Sequence, residues 1–156
     1  MPKTLQEEIK QTRPFASREH EAHLSVIRTA AVLTDEDEQF LRPYGVTATQ
    51  YNVLRILRGA EPNGLCRNEV RDRMLTRMPD MTRLLDRMEE AGLVVRSRES
   101  DDRRMVRTKI ATSGLNILAE LDGAIEREHK SRFARLSDDE LRSLIQMLAK
   151  VRDDGG

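Results

Sequence analysis

Residues 82–114 read TRLLDRMEEAGLVVRSRESDDRRMVRTKIATSG, and the hydrophobic period of this stretch changes at Gly92. Before the glycine, four apolar residues share one helix face at the i, i+3, i+4, i+7 spacing: Met81, Leu84, Leu85 and Met88. This spacing predicts a helix over about 79–91, and Gly92 suits the position that ends it. After Gly92, apolar and polar residues alternate on both sides of a charged run, which predicts two short strands in a β-hairpin.

Capping residues mark the helices that come before this stretch. Ser17 predicts the start of a long helix that runs to about Arg42. Thr47 and Gln50 form a T-x-x-Q capping box, in which each side chain pairs with a backbone N–H of the other residue. A second helix should therefore begin there. A short helix is expected over about 66–75, directly before the amphipathic helix.

Two helices are expected after the hairpin. The first covers about 112–135, and the second begins at a further capping box formed by Ser137 and Glu140. The last helix carries one strong apolar face: Leu141, Leu144, Ile145, Leu148 and Val151. The order of helices and hairpin predicts a mainly α (α+β) fold, a winged helix-turn-helix with a two-stranded wing.

Overall charge says little about partners, because 27 Lys and Arg balance 27 Asp and Glu. Residues 65–109 hold 12 basic and 9 acidic residues, a local surplus of +3 that fits a DNA-reading surface. The single cysteine, Cys66, excludes an intramolecular disulfide. The polar N-terminus and the lack of a long apolar run predict a cytoplasmic protein with no membrane partner.

The polar face of the amphipathic helix has the residue types that read DNA. Pro79, Thr82, Arg83 and Asp86 project away from the apolar stripe, and Arg87 lies on the flank. An arginine suits guanine O6 and N7, and a threonine suits a phosphate or a thymine methyl group. The alternative interpretation is an ordinary solvated helix face.

The predicted hairpin has a charged tip. Asp101, Asp102, Arg103 and Arg104 place two guanidinium groups beside carboxylates at the end of a thin projection. An arginine there fits the narrow, electronegative minor groove, and a neighbouring aspartate can orient it. Four basic residues line the strands behind the tip, at positions suited to phosphates: Arg96, Arg98, Arg107 and Lys109. A charged turn kept soluble by its own ion pairs is the alternative.

With these motifs in view, residues 82–114 resemble the recognition helix, wing and following helix start of the MarR family of winged-helix regulators. The segment VTATQYNVLRIL, residues 46–57, resembles the family's preceding helix, and the likeness covers about 20–152. In the family, the arginine matching Arg103 enters the minor groove and is supported by an acidic residue matching Asp101. Arg77 stands at the entrance of the matching recognition helix, where it would meet a phosphate.

The resemblance implies a homodimer and a domain plan. N-terminal dimerisation helices are expected over 1–45, a winged helix-turn-helix DNA-binding lobe over 46–111, and C-terminal dimerisation helices over 112–156. The expected partners are double-stranded DNA with a pseudo-palindromic operator and a second copy of the chain. Three residues depart from the Gly, Ser or Thr often found at their positions in the family: Leu75, Arg77 and Pro79.

Smaller signals concern effectors. Family members often bind small aromatic acids between the two regions, which makes Arg28, Tyr44 and Tyr51 candidate pocket residues. Packing explains the tyrosines equally well. His20 and His23 share a helix face and Cys66 lies near a helix start, so metal or redox sensing stays an alternative function. Solvated or small structural residues are the default interpretation of all three.

The expected function is sequence-specific, DNA-binding transcriptional regulation of the MarR type, with repression and release by a small effector. No P-loop, G-x-S-x-G or H-E-x-x-H motif occurs, so neither an enzyme nor a cofactor is expected. No metal site is expected. A winged-helix module that binds protein is the alternative of another class.

Overall fold

The computed structural model describes residues 1–98 and 105–155. The elements in chain order are α1 (Leu5–Glu8), α2 (Arg18–Leu41), a 3₁₀ turn (Arg42–Tyr44), α3 (Ala48–Arg58), β1 (Leu65–Cys66), α4 (Arg67–Asp72), α5 (Met81–Glu90), β2 (Val94–Arg98), β3 (Val106–Ile110), α6 (Thr112–Arg132) and α7 (Asp138–Arg152). The predicted helical order and the hairpin are confirmed. The tip residues Asp101, Asp102, Arg103 and Arg104 lie outside the described residues.

The capping residues act as the sequence predicts. Ser17 Oγ accepts the backbone N–H of His20 at the start of α2, at 3.0 Å. Both halves of the capping box are present at α3, between Thr47 and Gln50. The same reciprocal pairing of Ser137 with Glu140 starts α7. These starts are local, because each cap joins residues only three positions apart.

Two helix boundaries differ by two to three residues from the approximate ones that the sequence indicated. The amphipathic helix α5 begins at Met81, because the side chain of Asp80 accepts the backbone N–H of Arg83 at 3.1 Å and caps it. Pro79 therefore lies in the turn before the helix. The preceding helix α4 ends at Asp72, not near residue 75.

The sheet has three antiparallel strands in the order β1–β3–β2, one more than the predicted hairpin. The extra strand pairs Leu65 with Thr108 and Cys66 with Arg107. It approaches β3 closely at Gly64, where an added Cβ would lie 2.5 Å from the carbonyl oxygen of Thr108. Gly64 also has a φ of 71°, in the left-handed region that glycine adopts without steric cost.

The core lies in the middle of the chain and joins α3, α4, α5, the sheet and the first part of α6. Val53, Leu54 and Leu57 of α3 pack there with the buried residues of α5 and with Leu118 and Leu121 of α6. The fully buried residues of α5 are Met81, Leu85 and Met88, and Leu84 is half-buried, as the periodicity predicts. This packing orients the opposite face of α5 toward solvent.

The outer helices bury much less. In the described ranges, α2 contributes Leu41 alone to the buried set, and α7 has no buried residue. Ile27 on α2 and Ile145 and Val151 on α7 are exposed. Across the same ranges, no helix combines the length and hydrophobicity that a membrane-spanning segment requires.

One ion pair and one ion-pair cluster join α6 to the rest of the chain. Arg58 of α3 forms a two-pronged pair with Asp122. Arg132, at the end of α6, contacts Glu36 and Asp37 of α2 and Glu128 of its own helix. Burial alone would lower the pKa of Arg132, but its hydrogen bond to Asp37 and the nearby carboxylates raise it overall.

Candidate nucleic-acid interface

The solvent face of α5 carries the residues that the sequence assigned to DNA reading. Thr82, Arg83, Asp86 and Arg87 are all exposed. In residues 1–98 and 105–155, no hydrogen bond or ion pair engages the guanidinium group of Arg83 or Arg87. A helix with one side locked in the core and free cations on the other has the form that fits a major groove.

Arg67 is a basic residue of this face that the sequence analysis missed. It lies at the start of α4, and its Nη1 donates to Thr82 Oγ1 at 2.8 Å. Thr82 keeps its own hydroxyl proton available as a donor. The concentration of arginines over residues 67–73 was the available signal, but only packing shows that Arg67 reaches α5.

A groove with two arginines lies at the entrance of α5. It has a volume of about 570 Å³ and is lined by Arg71, Arg77, Met78 and Pro79. Arg71 lies 3.9 Å from Asp72, whereas Arg77 has no hydrogen bond or ion pair within the described part of the chain. Arg77 and Pro79 therefore border the entrance of α5.

Arg96 has a different position from the one expected. Its side chain is 19% exposed, and Nη2 is hydrogen-bonded to Asp86 and lies 3.5 Å from Glu89, both on α5. Partial burial alone would lower the pKa of Arg96, but the hydrogen bond to Asp86 and the charges of Glu89 and Asp86 raise it. Through these contacts Arg96 ties strand β2 to α5. Its positive charge is already matched by the carboxylates of Asp86 and Glu89.

The remaining wing residues differ in exposure. Arg98, at the end of β2, is exposed and makes no ion pair or hydrogen bond with the residues that the structure describes. Arg107 is half-buried, and its Nη1 donates to the carbonyl oxygen of Gly64 at 3.3 Å. Lys109 is exposed. Of these three residues, Arg98 and Lys109 are presented to solvent in the way that phosphate contact requires.

A cavity of about 450 Å³ lies between α4, α5 and the sheet. Its lining combines two guanidinium groups, hydroxyl groups, a thiol and apolar side chains: Cys66, Arg67, Asn68, Thr82, Leu85, Arg96, Met105, Val106 and Thr108. Cys66 is half-buried there, and its backbone N–H donates to Glu69 at the start of α4, at 3.1 Å. No sequence pattern indicates this cavity, because its residues come from several separate elements.

The three expected effector residues lie on three separate elements of the protomer: α2, the 3₁₀ turn and α3. Arg28 lies 13 residues before Leu41 on α2, about 20 Å along the helix axis, and its Nε is 3.6 Å from Glu8. Tyr44 packs against Phe40, with ring centroids 5.9 Å apart. Tyr51 lies under Arg55, on α3.

The histidines have ordinary surroundings. His20 Nδ1 accepts the backbone N–H of Ala16 at 3.4 Å, and its ring packs edge-on against Phe15. His23 is exposed. Outside the segment 99–104 and the final residue, no three His, Cys, Asp or Glu side chains come together as a metal site.

Fold and surface together define a winged-helix protein whose α5 presents Arg83 and Arg87 to solvent. Residues 44–105 match the sequence profile of the MarR family. The HTH-type transcriptional regulator FarR of Neisseria gonorrhoeae is 26% identical over 143 residues, 90% of this chain and 97% of that protein. The HTH-type transcriptional regulator PapX of Escherichia coli is 26% identical over 88% of this chain and 82% of its own length.

Solved structures extend the likeness to the whole architecture. A MarR transcription factor from Planctomyces limnophilus is 34% identical, covers 87% of this chain and 98% of its own, and has a TM-score of 0.67. A mutant MarR from E. coli, complexed with operator DNA, is 27% identical over 83% of this chain and 92% of its own, with a TM-score of 0.73. The chain belongs to the MarR family. It is a transcriptional regulator with the winged helix-turn-helix fold of that family.

Proposed function

We propose that this chain is a repressor that binds a pseudo-palindromic operator as a homodimer, through α5 and the wing. The observation that carries the proposal is the outward face of α5. Its buried stripe is locked into the core, while the guanidinium groups of Arg83 and Arg87 extend without partners among the described residues. Such a repressor acts in the cytoplasm, where the operator is.

The expected contacts follow from the chemistry of each group. Arg83 suits a bidentate contact with guanine, and Thr82 suits a phosphate or a thymine methyl group. Arg87 and Arg98, which are exposed at the edges of the recognition face, suit phosphates. The wing residues Asp101, Arg103 and Arg104, which lie outside the described residues, are assigned to the minor groove by the sequence alone.

The exposed apolar side chains of the outer helices support the homodimer. Val151 is 75% exposed and Ile145 65% exposed on α7, and Ile27 is exposed on α2. A second copy of the chain would cover these residues and complete a core that one protomer lacks. Two-fold symmetry would then place two recognition helices about 34 Å apart, one helical turn of DNA.

The test measures binding of the protein to the DNA that flanks its own gene, by fluorescence anisotropy. Arg83→Ala should weaken binding by about tenfold or more, the effect of one lost bidentate base contact. Arg103→Ala should also weaken it strongly and leave the dimer intact. Arg18→Ala is the matched control, because Arg18 lies about 35 Å along α2 from Leu41 and carries the same charge.

The outcomes separate DNA binding from the protein-interaction alternative. Affinity for the operator should fall steeply with salt, since neutralised phosphates release counterions. Equal affinities for the Arg83→Ala, Arg103→Ala and Arg18→Ala variants would refute the assigned surface. Failure of the wild-type protein to bind any flanking DNA would favour a module that binds protein.

We propose a small aromatic acid as the effector and the cavity beside α5 as a site for it. Arg67 supplies a guanidinium group for a carboxylate, and the exposed side chains of Met105 and Val106 supply apolar contact for a ring. A ligand there would compete for the Arg67–Thr82 hydrogen bond and so reach the recognition helix. Benzoate titration by calorimetry is the probe. Binding should weaken in Arg67→Ala and persist in the control Arg28→Ala, and the opposite result would place the ligand elsewhere.

A further inference from the structure

Leu75 is an apolar side chain left in solvent beside the recognition helix. It is 82% exposed, more than any other large hydrophobic residue in the described chain except Met1. It lies in the turn between α4 and α5, apart from the exposed apolar residues of α2 and α7. The dimer proposed above therefore offers no reason for its exposure.

The backbone at Leu75 is held in place. Its N–H donates to Asn52 Oδ1 at 2.9 Å, and Asn52 belongs to α3, next to the fully buried Val53 and Leu54. The turn is therefore anchored to the core on one side while the leucine side chain extends into solvent. An anchored apolar group loses little conformational entropy when it meets a partner.

The charges around Leu75 indicate the kind of partner. Arg73 and Arg77 lie two residues before and after it, and both are exposed. The charge of Arg73 helps to lower the pKa of Glu69, whereas Arg77 has no hydrogen bond or ion pair with any residue of the ranges 1–98 and 105–155. Arg77 also borders the groove at the entrance of α5. A leucine between two exposed cations fits a surface that is anionic overall but has an apolar group within reach. The major groove of DNA is such a surface, because thymine presents its C5-methyl group there.

Resting on the proposed function, we infer that Leu75 reads thymine in each operator half-site through contact with the C5-methyl group. The residues at the start of a recognition helix are the ones that approach base edges. Leu75 stands six residues before Met81, the first residue of α5, on the turn that leads into it. Its contact would add to those of Thr82 and Arg83 and extend the sequence that one protomer reads.

The experiment removes the methyl group from the DNA and the side chain from the protein. Each thymine of the operator is replaced by uracil, one position per half-site, and dissociation constants are measured by fluorescence anisotropy. For the wild-type protein, the uracil substitution should weaken binding at one or more positions. The expected loss is about fourfold per methyl group, the affinity equivalent of one buried methylene. In Leu75→Ala that same position should become insensitive to uracil, while Leu75→Met should keep the sensitivity.

The Arg83→Ala variant is the matched control. It should bind more weakly at every position yet keep the uracil effect, because its lost contact is to guanine. If the wild-type protein binds the operator but no thymine position is sensitive, or if Leu75→Ala keeps the sensitivity, the assignment to Leu75 is overturned and the proposed function stands. If the wild-type protein binds no DNA, the proposed function and the assignment to Leu75 both fail. Since the side chain is exposed, the melting temperature of Leu75→Ala should match that of the wild type.

Discussion

Arg58 and Asp122 form a two-pronged ion pair that joins α3 to α6, with Nη1 2.9 Å from Oδ2 and Nη2 3.0 Å from Oδ1. The hydrogen bonds to Asp122 raise the pKa of Arg58. Both side chains are more than one-third exposed, so solvent and salt screen the pair. It therefore fixes the geometry of the junction more than it stabilises the fold.

The Arg132 cluster should behave differently from the Arg58–Asp122 pair. Arg132 is 10% exposed and faces three carboxylates, and its buried Nε lies 3.2 Å from Glu36 without hydrogen-bond geometry to any described residue. Arg132→Ala should cost about 2 kcal/mol, because it removes a largely buried guanidinium group and its charged hydrogen bond to Asp37, while the three carboxylates, each more than one-third exposed, stay hydrated. Arg58→Ala, the control, should cost about 1 kcal/mol or less and lose its effect in about 0.5 M salt. Urea denaturation at fixed protein concentration measures both, and equal costs would contradict this ranking.

Gly114 should resist substitution although it lies in a helix. An added Cβ would lie 2.7 Å from the carbonyl oxygen of Leu93 and 2.9 Å from Ile110. Gly114→Ala should therefore be destabilising, because overpacking costs about 1–3 kcal/mol and exceeds the helix-propensity gain of about 1 kcal/mol.

Gly123 in the same helix is the control for this substitution. Its Cβ would meet only the flexible end of Arg127, at 3.3 Å, so Gly123→Ala should gain about 0.5–1 kcal/mol. Thermal and urea unfolding would measure the difference. A Gly114→Ala protein as stable as Gly123→Ala would show that α6 does not approach Leu93 this closely.

Substitutions at Arg96 and Arg98 should distinguish a residue that anchors the wing to α5 from one that contacts DNA. Arg96→Met should lower stability by about 1–3 kcal/mol, since it removes a charged hydrogen bond to α5, and should leave the salt dependence of operator binding unchanged. Arg98→Met should leave stability within about 0.5 kcal/mol. If Arg98 contacts one phosphate, its loss should reduce the slope of log affinity against log salt by about 0.9. A reversed pattern would assign the phosphate contact to Arg96.

The apolar face of α7 should control the oligomeric state. Ile145→Glu places a charge at an exposed apolar position and should shift the chain toward monomer, because burial of an unpaired carboxylate in an interface is costly. Gln146→Glu adds the same charge at the neighbouring, polar position and should leave the dimer unchanged. Sedimentation velocity over a range of concentrations compares the two. A dimer that persists in Ile145→Glu would show that α7 is not its main contact.

Local chemistry was enough to predict where the helices begin and which face of α5 points to solvent. Ser17, Thr47 and Ser137 cap helices through bonds to residues three positions away, so neighbouring sequence alone decides these starts. The stripe Met81, Leu84, Leu85 and Met88 shows which side of α5 is buried, because a helix has one period whatever surrounds it. The alternation after Gly92 indicated the hairpin for the same reason.

Tertiary structure alone decided which distant side chains meet. Strand β1 is two residues long and has no period of its own; it exists because Gly64 lets the chain approach β3. Arg67 reaches Thr82, and Arg96 is held by α5, through contacts between separate elements. A periodic pattern states which way a side chain points, but its partner depends on how the elements pack, and packing is a property of the whole chain.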